Sequence, residues 1–237
     1  MLLNSQNVTP CSMVKNEEYW IYYVLRDLMK TFPKLILLDT GSSDNTIAVV
    51  ERAVSEQTNC TVQLIEDHYT TPYQIGDGRN KLRELCTTHW MLLVDGDEIW
   101  KEDKLELLFQ QDIPDSAEVV MLGAKNIEDV DGVLKLRVND TANMDRLFSP
   151  DIRWDRTDYP FESYGLNGTF PMEKVHYVPA DEVYEWHVRH TQRSSKNSQA
   201  FFREEKKDYF PYSGPYEELP PDWLDFNPGY CNPYTCS

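Results

Sequence analysis

Two short, uninterrupted apolar runs constrain this chain more than any other feature: Leu35-Ile36-Leu37-Leu38 and Trp90-Met91-Leu92-Leu93-Val94. Each is too short for a buried helix and shows no polar alternation. That is the pattern of a strand covered on both faces, and such strands belong to parallel sheets. Around them the apolar period becomes helical. Trp20, Val24 and Leu28 recur with Ile21, Leu25 and Met29 to make one broad stripe, opened by Asn16-Glu17-Glu18 and ended by Pro33. A second helix carries Ile47, Val50 and Val54, and a third, Gly78–Thr87, turns Leu82, Leu85 and Cys86 inward. With Asn7–Val14 and Thr61–Ile65 as further strands, the order is β-α-β-α-β-α-β. That order predicts an α/β fold with a mostly parallel sheet and helices on both faces. Ligands of such sheets bind outside the carboxyl ends of the strands.

The second half reads differently. Lys101–Gln111 is expected as a helix, and Val119–Asn126 and Val133–Val138 as antiparallel strands around Asp131-Gly132. Ser194–Lys207 is a polar stretch with helical character, and 208–237 is an acidic tail rich in Pro and aromatics, either docked or a lid. The expected organisation is one domain over 1–237: a nucleotide-binding half at 7–100, an acceptor and catalytic half at 101–207, and the tail.

Charge narrows the function classes. Lys and Arg number 23 against 40 Asp and Glu, a formal charge of −17. Such a surface disfavours nucleic-acid and anionic-lipid partners; the run Arg189, Arg193, Lys196 is the best basic candidate and reads more simply as solvated surface or phosphate contacts. No apolar run approaches a membrane span, and the N-terminus MLLNSQNVTP lacks the basic start and apolar stretch of a signal peptide. Five widely spaced Cys do not make a disulfide scaffold, so the expectation is a soluble, reduced, cytoplasmic protein.

Two acidic turns fall at expected strand ends. Asp95-Gly96-Asp97-Glu98 follows the fourth strand directly. A lone acidic triplet in an acidic chain is usually a solvated loop, but repelling carboxylates at a buried strand's mouth are better explained by a divalent cation. A calcium-binding EF-hand loop is excluded, because the position that requires Gly is Trp100. An aspartate-nucleophile phosphatase also uses a strand ending in this triplet; here Ile99 and Trp100 stand where Thr or Val is usual. The other turn, Asp39-Thr40-Gly41-Ser42-Ser43-Asp44-Asn45-Thr46, can cap the next helix and can also contact a base or ribose. Gly76-Asp77-Gly78-Arg79-Asn80 is not a dinucleotide fingerprint, since Leu82 and Arg83 deny the third Gly, and Arg79 can pair either with a diphosphate or with a surface acid. His187 and His190 lie beside Trp186; their spacing suits a strand, with one ligating a metal and the other contacting phosphate.

Taken in order, Ser12-Met13-Val14-Lys15-Asn16-Glu17-Glu18, Leu38–Thr46, Gly78-Arg79-Asn80 and Leu93–Glu98 resemble the motifs of family 2 glycosyltransferases, which have the GT-A fold. The resemblance covers about residues 7–100. It implies that Asp39, Asp44, Arg79, Asp95 and Lys15 bind the nucleotide sugar, that Asp97 coordinates the metal, and that His187 or His190 completes its shell. Arg146-Leu147-Phe148 resembles the family's "RLF" segment, after which a carboxylate base is expected; Glu162, Asp158 and Asp155 are candidates, with Glu162 chosen. The family's following "HE" is not recognisable. The implied reaction is an inverting transfer from a nucleotide sugar, a UDP-sugar by preference, to a hydroxyl of a glycan, lipid-linked or protein acceptor. Mn2+ suits mixed carboxylate and imidazole donors better than Mg2+. The competing classes are a metal-dependent phosphatase or nucleotidyltransferase and a non-catalytic nucleotide-sugar-binding module.

Overall fold

The computed structural model describes residues 1–71, 74–154, 171–190, 212 and 214–219. The strands are β1 (Val8–Val14), β2 (Lys34–Asp39), β3 (Thr61–Glu66), β4 (Trp90–Asp95), β5 (Glu98–Ile99), β6 (Val119–Val130), β7 (Val133–Phe148), β8 (Val175–Tyr177), β9 (Tyr184–His190) and β10 (Tyr216–Glu218). The helices are α1 (Ile21–Thr31), α2 (Thr46–Glu56), α3 (Gln74–Leu85) and α4 (Glu102–Phe109). One sheet holds them in the order β3-β2-β1-β4-β7-β6-β9-β5, with β10 on β7 and β8 on β6. β1 to β4 are mutually parallel where they pair; β7 joins them antiparallel through Met91–Phe148 and Leu92–Leu147.

The uninterrupted apolar runs have the expected cause. Leu35 and Leu37 of β2, with Leu92 and Val94 of β4, pack into one cluster with the α1 stripe, Val50 of α2 and Leu105 of α4. Ile36, Leu38, Met91 and Leu93 face the other side, against Leu82 of α3, Cys11, Phe148 and Trp154. Each fully buried Leu or Ile contributes about 1.5–3 kcal/mol, so two covered faces favour this register strongly. Cys11, Cys60 and Cys86 are buried free thiols, and no helix among the described residues is long and apolar enough to cross a membrane.

Four local expectations need correction. Asn16-Glu17-Glu18 does not open the first helix: α1 begins at Ile21, and Asn16 is left-handed at φ 56°. The reason is that these backbone N–H groups have partners elsewhere. Asn16 donates to Ser42 Oγ at 2.9 Å, Glu17 to Thr46 Oγ1 at 2.8 Å, and Glu18 to Asp44 Oδ2 at 3.2 Å. The third helix starts a turn earlier than expected, at Gln74. The fourth, α4, is shorter than Lys101–Gln111. The β6–β7 hairpin runs well past Asn126 and Val138, to Val130 and Phe148, because bulges between Val120 and Met121 and between Lys125 and Ile127 let the ladder continue through its polar stretch. The expected helix at Ser194–Lys207 lies outside the described residues, as does most of the tail; its described part, β10, pairs with Lys135–Arg137 of β7.

Candidate functional site at the carboxyl ends of β1, β2 and β4

The register places the two acidic turns on either side of one strand. Val14 of β1 is level with Asp39 of β2, and Met13 is level with Asp95 of β4. Both carboxylates therefore stand at the carboxyl edge, roughly two strand spacings (~10 Å) apart.

The Asp39 turn is locally organised. Asp39 Oδ1 accepts from the N–H groups of Gly41 and Ser42, both at 2.9 Å, and Oδ2 accepts from Ser42 Oγ. Gly41 is at φ 99°, and a side chain there would meet the His68 ring, its Cβ 2.6 Å from Nδ1. Asp44, one residue before the N-cap Asn45, takes up the first N–H of α2: its Oδ1 accepts from Thr46 N–H at 3.0 Å and Thr46 Oγ1 at 2.5 Å. The structure thus brings Asp39 to the edge and gives Asp44 a structural task joining the first two motifs. Lys15 Nζ donates to the Tyr69 carbonyl at 3.1 Å; burial lowers its pKa, while Asp39 opposes the shift.

Arg79, in the middle of α3, comes to 3.9 Å from Asp95 Oδ2, with its side chain 14% exposed and that of Asp95 34%. Burial lowers the Arg79 pKa, and Asp95 partly restores it. Gly96 follows for a steric reason. A Cβ there would lie 2.6 Å from Glu17 Cγ and 3.1 Å from Val14 Cγ1, so the turn closes onto β1 only with Gly.

Beyond Gly96 the chain reverses into β5, which pairs antiparallel with β9 so that Glu98 faces His187. The Val188 N–H donates to the Asp97 carbonyl at 2.9 Å. This ladder brings His187 Nε2 to 3.3 Å from Asp97 Oδ2, with both side chains under 10% exposed. Asp97, Glu98 and His187 each offer a donor atom within 4.8 Å of the others. Two carboxylates and an imidazole suit a borderline divalent cation. Glu98 has prior partners, however: Oε2 accepts from Asp95 N–H at 2.9 Å, and Oε1 accepts from Arg146 Nη2. Asp97 and His187, 3.3 Å apart, are a carboxylate–imidazole pair that could receive such a cation, with Glu98 beside them.

Behind that pair lies a group of buried charges that sequence reasoning missed. Arg146, from the RLF segment, contacts both Glu98 and Glu185, whose side chains are completely buried. Burial raises the pKa of each glutamate and Arg146 opposes it. Burial works against the Arg146 charge too, but Glu98 and Glu185 outweigh it and raise its pKa. In a chain with 40 acidic residues, nothing in the letters separates these glutamates from surface ones; only the alternation of Glu185 with His187 on one strand could have hinted at it. His190 ends β9, but its side chain lies outside the described residues, as do Glu162, Asp158, Asp155, Arg189, Arg193 and Lys196 in whole or in side chain.

A mixed sheet with helices on both faces carries its acidic edge at the carboxyl ends of its parallel strands, where ligands of open α/β sheets bind. The profile of Glycosyl transferase family 2 matches residues 11–170, and the chain belongs to that family. The sheet described above is of that family's GT-A type. Among solved structures, S. aureus TarS 1-349 is similar at a TM-score of 0.51 and 18% identity, over 76% of this chain and 60% of that one. The same protein "in complex with UDP-GlcNAc" matches at 0.51 and 16%, over 82% and 61%. This chain thus spans about 60% of these two TarS chains, and at that identity the likeness speaks for the fold. No curated protein matches the chain.

Proposed function

We propose that this chain transfers a sugar from a nucleotide-sugar donor, a UDP-sugar by preference, to a hydroxyl acceptor in a reaction that depends on a divalent cation and inverts the anomeric centre. The observation that carries the reading is the buried Asp97–His187 pair at 3.3 Å, set beside Asp95 and Arg79 at the carboxyl edge. Family membership and the TarS complex "with UDP-GlcNAc" support the donor class.

Asp97 and His187 would hold the cation, Mn2+ by donor type. When bound, it supplies positive charge toward a leaving diphosphate. The protein's own residues do the rest. Arg79, held by Asp95 in a largely buried place, adds a second positive charge whose field is little screened there. Without such charge a body of −17 would repel the diphosphate. Asp39, with Lys15 near it, faces the nucleoside: its two oxygens are oriented by Gly41 and Ser42, and a lone pair on Oδ2 remains for a base N–H or a ribose hydroxyl. Asp44 contributes by fixing that turn. A carboxylate from the second half, Glu162 in our reading, takes the proton of the acceptor hydroxyl as its oxygen attacks the anomeric carbon.

Slow hydrolysis of UDP-sugars to UDP on adding Mn2+, abolished in Asp97→Asn, is the expected result. Phosphate release from phosphomonoesters with no UDP formed would instead identify a phosphatase, and tight UDP binding without turnover a binding module.

A further inference from the structure

Arg146 is the side chain whose position the reading above leaves unexplained. It is 4% exposed, near the end of β7, where its neighbours Leu147 and Phe148 lock that strand to β4. Its Nη1 donates to the Asp145 carbonyl at 3.2 Å. Nη2 donates to Glu98 Oε1 and reaches Glu185 Oε1 at 3.4 Å. Each glutamate leads to one half of the candidate cation pair. Glu98 accepts the Asp95 N–H at 2.9 Å through its other oxygen, which ties it to the turn carrying Asp97. Glu185 stands two residues before His187 on β9, hence on the same face of that strand. Its Oε2 is buried and has no hydrogen-bond partner among the described residues. An interior acceptor left in that state is retained at a cost to stability, which a merely stabilising ion pair does not account for.

We propose that Arg146 is a positioning residue: through Glu98 on one side and Glu185 on the other, it sets the geometry at which Asp97 and His187 receive a divalent cation. This rests on the reading that Asp97 and His187 hold that cation. Nη2 meets both carboxylates while Nη1 is held by the Asp145 carbonyl, so the plane of the guanidinium is fixed between the two glutamates in a way an ammonium cannot reproduce.

The sign of the effect separates positioning from plain electrostatics. Removing a positive charge beside a cation site should tighten cation binding; losing the geometry should weaken it. The test is titration of Mn2+ into the full chain with UDP present, free Mn2+ being read by electron paramagnetic resonance and folding by thermal unfolding. Asp97→Asn is expected to lose most of the affinity. Arg146→Gln is expected to weaken Mn2+ binding by about tenfold or more, the range for residues that orient metal ligands. Arg146→Lys, with its charge kept, is expected to weaken it by a smaller factor and to decide the matter if Arg146→Gln does not fold. Unchanged or tighter Mn2+ binding in the deciding folded variant would overturn the proposal, as a structural ion pair alters the melting temperature without altering the affinity of the folded protein. If wild type and Asp97→Asn bind Mn2+ equally, the cation reading itself fails and this proposal with it. If those two differ and the Arg146 variants match wild type, this proposal alone fails.

Discussion

The two acidic centres at the sheet edge are built in opposite ways. At the Asp39 turn the hydrogen bonds that orient the two acids are short in sequence or come from one facing segment: Gly41 and Ser42 orient Asp39, Thr46 and Glu18 orient Asp44, and Asn16 Oδ1 accepts from Ser43 N–H at 2.7 Å. At the Asp97 turn the partners arrive from remote strands: Arg146 from β7, Glu185 and His187 from β9. The first centre uses neutral donors and stays satisfied without charge. The second buries charges against one another, and its energy depends on their count and placement. Local turns tolerate change in the rest of the molecule, whereas a buried charge cluster does not.

Breaking the second centre should have the largest effect. Replacing Arg146 with Met leaves Glu98 and Glu185 interior and unpaired, and is expected to cost about 3–5 kcal/mol in urea unfolding. Adding Glu98→Gln and Glu185→Gln to that variant should recover much of the loss, since a neutral interior no longer needs the guanidinium. Next comes Asp97→Asn. On the proposed mechanism it should lower the rate of sugar transfer or donor hydrolysis by ~10²–10³, with the melting temperature little changed, as steady-state kinetics beside calorimetry would tell. At the first centre the expected loss is smaller: Asp44→Ala removes the acceptor of the first N–H of α2 and should cost about 0.5–2 kcal/mol in the same unfolding assay.

The contrast also explains what was legible beforehand. The parallel half announces itself because covering β2 and β4 on both faces forces the apolar runs Leu35–Leu38 and Trp90–Val94, and because the chain then meets its acids at the strand ends. Asp39, Asp95 and Asp97 could be placed on that basis, and Arg79 comes within 3.9 Å of Asp95. The strand expected at His187 is there as well. The charge cluster was not legible, because its partners are brought together by strand pairing between β5 and β9 and by a β7 that outlasts its apolar pattern. The misjudged opening of α1 has a related cause: Asn16, Glu17 and Glu18 look like a helix start, yet their N–H groups serve the neighbouring turn.

The smallest expected effect lies away from both centres and serves as their control. Burial raises the Cys60 thiol from 9.0 to about 11. Between those values the unfolded chain has released this proton and the folded chain has not, so stability falls as pH rises from 9.0 toward 11. Thermal unfolding across that range should show a shallower decline in Cys60→Ala than in wild type, with the Asp97–His187 pair unaffected.

The β5–β9 ladder has a consequence for the order in which the protein comes into being. A ribosome delivers Asp97 while β9 is still unmade, so the early product carries an acidic rim with no imidazole and no Glu185 facing it. A nascent chain shorter than Tyr184 already holds the strands that form the platform. On the proposed reading, its competence for a cation would arrive only with β9, the strand between β6 and β5.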